Sequence, residues 1–316
     1  MLNIKSKNRP MILMAPMPGI TDSAFRRLCL HYGADLVVTE MVSAKAISFG
    51  DKKSYELAKL CDDDRPAAIQ IFGSDPKSIA FAAKEVSQFA PVAIDINMGC
   101  PVPKIAGNGD GAGLMRKPEL VGEIVSAAVG ATDIPITVKI RSGWDTKTIN
   151  AVEIAKIAEQ NGAAAVTVHG RTKVQGYEGK ADRNIIKQVK QALSIPVIAN
   201  GDVVCGESAV LMIAETSCDG VMVGRGALGA PWVFADIVAA LECKTPRVIT
   251  NEEKKAVILS HLDMMISNKG EASALFEIRK HIAWYIKGIP NAAALRASVF
   301  AVKSGKELEA IIKSIY

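Results

Sequence analysis

The sequence predicts an α/β protein in which a (β/α)8 barrel is followed by a small all-α domain. Eight short apolar runs recur up to about residue 240, and amphipathic segments of helical period lie between them. Two of these runs, AVTVH and PVIAN, are almost entirely apolar, which is typical of parallel strands covered by helices on both faces. Beyond residue 250 only helical patterns remain. Eight strands alternating with helices over this length indicate a closed parallel TIM barrel.

The predicted strands are Met11–Ala15, Leu36–Thr39, Ala67–Phe72, Val92–Ile96, Ile136–Ile140, Ala165–His169, Val197–Asn200 and Gly220–Val223. Helical patterns between them include Asp22–Tyr32, Pro76–Phe89, Thr148–Asn161 and Gly206–Ala214. A doubly wound sheet would need G-x-G-x-x-G after the first strand, where this sequence has APMPG. We therefore expect residues 1–242 to form the barrel.

Residues 243–316 are expected to form the helical domain, after a linker at Glu242–Asn251. Its predicted helices are Glu252–Lys269, Ala272–Lys287, Asn291–Ser298 and Lys306–Ile315. Trp284 and Tyr285 lie in the second of them, and aromatic residues at helical spacing most often belong to a core, so both are predicted to be buried.

The composition is that of an ordinary soluble protein, with 49% hydrophobic and 22% charged residues among 316. The basic N-terminus lacks the apolar length and cleavage site of a signal peptide, and no run approaches the roughly 18 apolar residues of a membrane span. The six cysteines show no zinc spacing. These features predict a cytoplasmic protein with free thiols and no metal, and a monomer by default.

The net charge of +5 is concentrated in the C-terminal part. Residues 243–316 contain 12 Lys and Arg against 7 Asp and Glu, whereas residues 1–242 contain 26 of each sign. This asymmetry is compatible with a polyanionic partner, whose counterions basic groups release, or with a solvated helical surface.

Polar residues follow most of the predicted strands, where TIM barrels carry their active sites. The sequences IANGDV and GVMVGRGALGAPW end strands seven and eight, the usual phosphate site of such barrels. Glycine backbones and Arg225 can bind phosphate oxygens there. Lys139 ends another strand among apolar neighbours, and it suits either an aldolase Schiff base or a cation beside an anionic flavin.

Cys100 lies in the loop DINMGCP, between a glycine and a proline. An aldolase has no evident use for a loop thiol. A flavin enzyme that reduces a carbon–carbon double bond needs a proton donor, and a thiol with a pKa near ~8.5 is mostly protonated at neutral pH. Cys100 is therefore the predicted general acid.

Several motifs together resemble the FMN-dependent tRNA-dihydrouridine synthases, and the spacing after the cysteine resembles their DusB-type bacterial subgroup. The motifs are MAPMPGITDSAFRRL, QIFGSDP, DINMGCPVPKIAGNGDGAGLM, KIRSGW, TVHGRT-x-x-Q-G-Y, IANGDV, MVGRGALGAPW and RKHIAWYIKGIP. The cysteine in NMGCP together with HGRT-x-x-Q-G-Y is the specific part of this resemblance.

The resemblance implies FMN across the barrel mouth and NADPH as its reductant. The residues it assigns to the cofactor are Pro16, Met17, Pro18, Gln70, Lys139, His169, Asn200, Gly201, Asp202, Gly224 and Arg225. Hydride would pass from the flavin to C6 of a uridine in the tRNA D-loop, at position 17 by the subgroup resemblance, and Cys100 would protonate C5. Asn97, Arg171 and Tyr177 are the candidates for holding the uracil.

A tRNA substrate would give the basic helical domain a purpose, because a stacked uridine must be flipped out to reach a barrel mouth. Arg279, Lys280 and Lys287 are predicted to share one helix face and to contact phosphates. Arg296 and Lys303 repeat the seven-residue spacing. A flavin barrel acting on a free pyrimidine, or an RNA chaperone that keeps flavin for structure, would be the alternatives.

Overall fold

The computed structural model describes residues 8–315 and contains a closed, fully parallel barrel. Its strands are β1 (Met11–Met14), β2 (Leu36–Val38), β3 (Val42–Ser43), β4 (Ala67–Phe72), β5 (Ala93–Met98), β6 (Ile136–Arg141), β7 (Ala165–His169), β8 (Val197–Asn200) and β9 (Gly220–Val223). β2 pairs with β4, and β9 pairs with β1, which closes the ring. The predicted (β/α)8 fold and its eight strands are confirmed. β3, a two-residue strand on the edge of β4, was not predicted.

One predicted strand is placed differently. Val92–Ile96 was expected, but β5 runs from Ala93 to Met98 and pairs with β6 through Asn97 and Met98. Asn97 is therefore a strand residue, and the turn that carries Cys100 begins only at Gly99. The alternation of side chains along the strand places Asp95 and Asn97 on one face, which is the inner face of the barrel.

The helices of the barrel are α1 (Ser23–His31), α2 (Ala44–Ser48), α3 (Lys52–Ala58), α4 (Pro76–Val86), α5 (Pro103–Ala106), α6 (Pro118–Val129), α7 (Ala151–Gln160), α8 (Arg183–Ala192), α9 (Gly206–Thr216) and α10 (Val233–Leu241). At five of these helices, α1–α4 and α8, the N-cap side chain accepts from a free backbone N–H, as Asp22 does from Phe25 and Asp75 from Ser78. α2, α3 and α5 were not predicted.

The largest apolar core lies between the strands and the surrounding helices, with Phe25, Ile69 and Phe234 fully buried in it. The barrel interior is filled by a second, smaller set of side chains, among them Leu13, Val38 and Met222. Because this interior is packed, ligands can reach the barrel only at its ends.

Four further helices follow the barrel: α11 (Asn251–Lys269), α12 (Glu271–Tyr285), α13 (Ala292–Ala301) and α14 (Gly305–Ile315). Thr250 and Glu253 form a capping box at the start of α11. The apolar core of these helices includes Ala24 and Leu28 of α1, so the two parts pack directly on each other. The boundary at residue 242 stays a prediction.

The contact between the two parts also contains polar groups. Lys269 of α11 donates to Asp22 and to Glu277 at 2.7 Å each. Two buried histidines, His261 and His281, lie with their ring centroids 4.4 Å apart and pack against Phe25. None of the helices within residues 8–315 is long and apolar enough to cross a membrane.

Candidate active site at the carboxyl end of the barrel

A cavity of about 410 Å³ opens where the strands end, a size typical of small-molecule and cofactor sites. Fourteen of the predicted site residues line it: Pro16, Met17, Pro18, Asn97, Cys100, Lys139, His169, Tyr177, Asn200, Gly201, Asp202, Gly224, Arg225 and Lys287. Gln70, Arg171, Arg279 and Lys280 are not among its lining residues.

Cys100 lies in the cavity wall with 9% of its surface exposed, and its turn is held from three directions. The backbone N–H of Cys100 donates to the Asn97 side-chain oxygen at 2.9 Å, and its carbonyl accepts from Ala112. Arg141 donates to the neighbouring Gly99 carbonyl at 2.7 Å. Burial raises the pKa of the thiol, against the opposing effects of the Val102 backbone N–H and the Arg141 charge. The thiol is therefore protonated at neutral pH.

Lys139 donates to the Asn200 side-chain oxygen at 2.8 Å, and Asn200 in turn donates to the Met222 carbonyl. Burial and the charge of Arg141 together lower the pKa of Lys139 to about 8, with Asp95 opposing the shift. Burial, together with the charges of Lys139 and nearby arginines, also lowers the pKa of His169 to about 2. The cavity floor thus presents a lysine cation and a neutral imidazole at pH 7.

A buried polar network lies beneath this floor. Gln70 donates to Asp95 at 2.7 Å and accepts from the Asn97 amide at 2.8 Å, while Thr137 donates to the other Asp95 oxygen. Burial raises the pKa of Asp95. Gln70 is fully buried, so it lies below the cavity rather than in its wall. Asp95 and Thr137 were not among the residues predicted for the site.

The loops after β8 and β9 form the side of the cavity that was predicted to bind phosphate. Gly201 has φ +120°, and a Cβ there would lie 2.6 Å from that of Ala181. Arg171 is buried and binds both oxygens of Asp202 at 2.7 and 2.9 Å, which leaves its guanidinium behind the cavity. Arg225 is half exposed, with its Nη2 atom 3.6 Å from Asp202.

Tyr177, which is 56% exposed, stands at the mouth between two guanidinium groups. Arg225 lies 4.7 Å and Arg141 5.8 Å from the centroid of its ring. Arg141 is fixed by donating to the Thr172 and Gly176 carbonyls, and burial lowers its pKa to about 10. Arg141 was not among the predicted site residues, yet it connects the cysteine turn to the tyrosine loop.

The prediction for Trp284 was wrong. Tyr285 is buried as expected, but 40% of Trp284 is exposed and its side chain lines the cavity. A helical period marks which residues share a face, and it does not distinguish a face buried in a core from one presented to a cleft.

The three basic residues predicted to share one helix face, Arg279, Lys280 and Lys287, do not do so, because α12 ends at Tyr285, before Lys287. Lys287 lines the cavity, whereas the Lys280 amine donates to the Gly19 carbonyl at 2.7 Å. Arg279 is partly buried and lies over the Phe300 ring. Only Lys287 of the three is therefore at the mouth.

The residues present fit a flavin phosphate. Ala15, Met17 and Met222 provide an apolar surface for a planar ring, and Lys139 and Asn200 provide polar groups at its edge. Within residues 8–315, the backbone N–H groups of Gly224, Arg225 and Gly226 have no protein acceptor, so they are free to bind phosphate oxygens. Within the same range no three His, Cys, Asp or Glu side chains are grouped so that they could hold a metal.

Comparison with known proteins shows the family of this chain. A model of the dihydrouridine synthase (Dus) family matches residues 13–315. A probable tRNA-dihydrouridine synthase of Rickettsia bellii is 43% identical over 91% of this chain and 89% of its own. The tRNA-dihydrouridine synthase B of Vibrio parahaemolyticus is 40% identical over 98% of this chain and 96% of its own, and that of Pseudomonas syringae is 40% identical over 90% and 85%.

Among solved structures, a mandelate oxidase variant aligns with 74% of this chain and 71% of its own, at 19% identity and a TM-score of 0.49. That similarity carries no functional argument. The family match and the curated relatives cover nearly the whole chain, and the chain therefore belongs to the dihydrouridine synthase family, with relatives named tRNA-dihydrouridine synthase B among the most similar.

Proposed function

We propose that this protein reduces the C5–C6 double bond of a uridine in the tRNA D-loop, with FMN as cofactor, NADPH as reductant and Cys100 as proton donor. The subgroup resemblance makes position 17 the expected uridine. The observation that carries the proposal is the Cys100 thiol in the wall of a cavity that Lys139 and Arg225 also line. Burial raises the pKa of this thiol, which favours its protonated form. The reaction needs an acid beside a cofactor site. Cys100 would be the acid, and Lys139 and Arg225 would belong to the cofactor site.

The bound flavin would supply a hydrogen with its electron pair to C6 of the uracil. The chain's own residues do the remaining work. Lys139 would balance the negative charge of the reduced cofactor, and Arg225 with the Gly224–Gly226 backbone would hold its phosphate. Neutral His169 would offer its ring nitrogens as uncharged partners.

Cys100 would give its proton to C5, which leaves a thiolate in the cavity wall. Two groups are placed to stabilise that anion, because the Val102 backbone N–H and the Arg141 charge both favour the ionised thiol. A proton from water then restores the thiol, so that uridine, NADPH and one proton become dihydrouridine and NADP⁺.

Uracil recognition involves the same wall. The Asn97 side chain already bonds to Gly99, Cys100 and Gln70. We therefore propose Tyr177 as the direct uracil contact and Asn97 as the residue that positions the cysteine turn. Arg171 would act through Asp202, which it holds from behind.

The test is mass spectrometry of nucleosides from tRNA that lacks dihydrouridine, after incubation with the flavin-loaded protein and NADPH. The expected result is uridine converted to dihydrouridine by the wild type and largely unconverted by Cys100→Ala, which should still oxidise NADPH at the wild-type rate. A yellow wild-type protein that leaves the RNA unchanged but reduces free pyrimidines would overturn the tRNA assignment. Full activity of Cys100→Ala would overturn the role of the thiol.

A further inference from the structure

Trp284 is an exposed aromatic ring whose nearest large apolar neighbours in the chain are buried. Ile282, Tyr285 and Ile286 are at most 5% exposed, whereas Trp284 is 40% exposed and lines the cavity. Among the described residues that line this cavity, it is the only tryptophan. An aromatic side chain that lines a cleft is placed to contact a ligand bound there.

The backbone beneath this ring is held tightly against the barrel. Gly229, in the loop after β9, approaches so closely that a Cβ there would lie 2.4 Å from the Trp284 carbonyl carbon. On the other side of the helix, the Tyr285 hydroxyl lies 3.2 Å from the His261 ring nitrogen. The last turn of α12 is therefore fixed to both parts of the protein, and Trp284 projects from a rigid base.

The positive charge beside the ring limits the classes of ligand that this surface can bind. The Lys287 amine lies 5.8 Å from the ring centroid and lines the same cavity. A flat aromatic face next to a solvated ammonium group suits a ligand that combines a planar ring with an anionic group. A nucleotide in RNA has both, as a base and a phosphate.

We propose that Trp284 is a stacking platform for the nucleobase next to the uridine that enters the cavity, and that Lys287 contacts the phosphate between the two nucleotides. This inference rests on the proposed function. When a uridine leaves the RNA stack, the adjoining base loses a stacking partner. Because Trp284 and Cys100 border one cavity, a base adjoining the uridine held at Cys100 lies at the rim, where the indole replaces the lost partner.

Equilibrium binding distinguishes a stacking interaction of the indole from a general effect of side-chain size. The flavin-loaded protein is titrated into a fluorescein-labelled, unmodified tRNA transcript, and anisotropy is followed for Trp284→Leu, Trp284→Phe and the matched control Phe276→Ala. Phe276 lies on the same helix, is 72% exposed and does not line the cavity. Trp284→Leu should weaken binding by about tenfold, the loss expected from one base–aromatic stack. Trp284→Phe should retain most of the affinity, and Phe276→Ala all of it.

Wild-type affinity in Trp284→Leu would overturn the platform, and so would an equal loss in the leucine and phenylalanine variants. Loss of flavin absorbance in Trp284→Leu with unchanged tRNA affinity would also overturn it, because Trp284 would then contact the cofactor. If Trp284→Leu melts at a lower temperature, a second measurement replaces it: the quenching of tryptophan fluorescence when tRNA binds. The wild type should show this quenching, and Trp284→Phe should show less of it. Equal quenching in both proteins would contradict the proposal.

The binding test of Trp284 and the activity test of the proposed reaction can fail separately. If wild type binds the transcript, the leucine variant binds weakly and no dihydrouridine forms, the platform stands and the proposed reaction fails. If dihydrouridine forms and the leucine variant binds and reacts like wild type, the reaction stands and the platform fails.

Discussion

The side-chain oxygen of Asn97 accepts the backbone N–H of Cys100 at 2.9 Å, so the last inward-facing residue of β5 sets the position of the thiol. The same oxygen accepts from Gly99, and the Asn97 amide donates to Gln70 in the buried network. The cysteine turn is therefore connected to the barrel interior as well as to Arg141. Precise placement of an acid matters, because displacement by about 1 Å can cost ~100-fold in rate.

We expect Asn97→Ala to lower the rate of tRNA reduction by about 10- to 100-fold while leaving NADPH oxidation by the flavin near wild type. The turn would lose two hydrogen bonds that orient Cys100, whereas Lys139 and Arg225 keep their positions. Stopped-flow reoxidation of the reduced protein by tRNA, compared with its reduction by NADPH, measures the two steps separately. Asn97→Asp retains an acceptor oxygen and should lose less; equal rates for Asn97→Ala and wild type would contradict the positioning role.

Lys139 is expected to lower the stability of the flavin-free protein and to strengthen the binding of the cofactor. Burial of its ammonium group is unfavourable, so Lys139→Met should leave the melting temperature of the flavin-free protein unchanged or raised while weakening FMN binding by at least about tenfold. Lys147→Met, at an exposed position in the following loop, serves as the control and should alter neither. A methionine variant that retains FMN like wild type would show that the cation does not hold the cofactor.

The pH dependence of cofactor binding follows from the same lysine. In the flavin-free protein the pKa of Lys139 is lowered to about 8, so the cation is present below that pH and is lost above it. FMN affinity should therefore decline as pH rises through about 8, and this decline should be absent in Lys139→Met. Titrating FMN fluorescence at several pH values between 7 and 9 measures both; a parallel decline in the variant would assign it to another group.

The barrel was predictable because its signal is repeated. Eight apolar runs of strand length, such as AVTVH and PVIAN, each require cover on two faces, and helical patterns lie between them in the sequence. β3 and the short helices α2 and α3 were missed, since segments of two to seven residues contain too few periods to show a pattern.

The cavity lining was largely predictable, and the connections behind it were not. Residues that end parallel strands meet at one rim whatever their contacts, which is why Lys139, Asn200 and Arg225 were found. Whether a polar side chain at such a position faces the cavity or a neighbouring polar group depends on strand register and loop path. The ion pair of Arg171 with Asp202 and the hydrogen bond of Gln70 to Asp95 could therefore not be read from the sequence.

Acid should weaken the attachment of the C-terminal helices to the barrel. Burial lowers the pKa of His281 to about 4, with Asp22 and Glu277 opposing the shift and Lys280 and Lys269 adding to it. The unfolded chain binds this proton near pH 6.5 and the folded protein only near pH 4, so stability is constant above 6.5 and falls as pH drops between those values. The full loss from this group is on the order of 3 kcal/mol.

The free energy of unfolding from urea titrations at pH 7 and pH 5 tests this expectation. His281→Gln, which has no titrating ring, should show a smaller difference between the two pH values than wild type. His31→Gln, at an exposed histidine on α1, should behave like wild type. An unchanged pH difference in His281→Gln would assign the acid sensitivity to other groups, of which His261, buried with its pKa well below the usual range, is the next candidate.

The two lysines predicted to bind tRNA from one helix face should differ in effect. Lys287 lines the cavity, whereas the Lys280 amine is engaged with the Gly19 carbonyl in the loop after β1. Lys287→Glu should weaken tRNA binding by roughly tenfold and reduce the slope of log affinity against log salt by about one, since each phosphate contact releases about one counterion. Its flavin absorbance should stay at the wild-type level.

Lys280→Glu should instead lower the melting temperature, because it removes a contact between helix α12 and the barrel. Lys306→Glu, exposed and outside the cavity, makes the same charge change and should affect neither property. Equal losses of tRNA affinity in the Lys287 and Lys306 variants would show that Lys287 contributes only through the net charge of the protein.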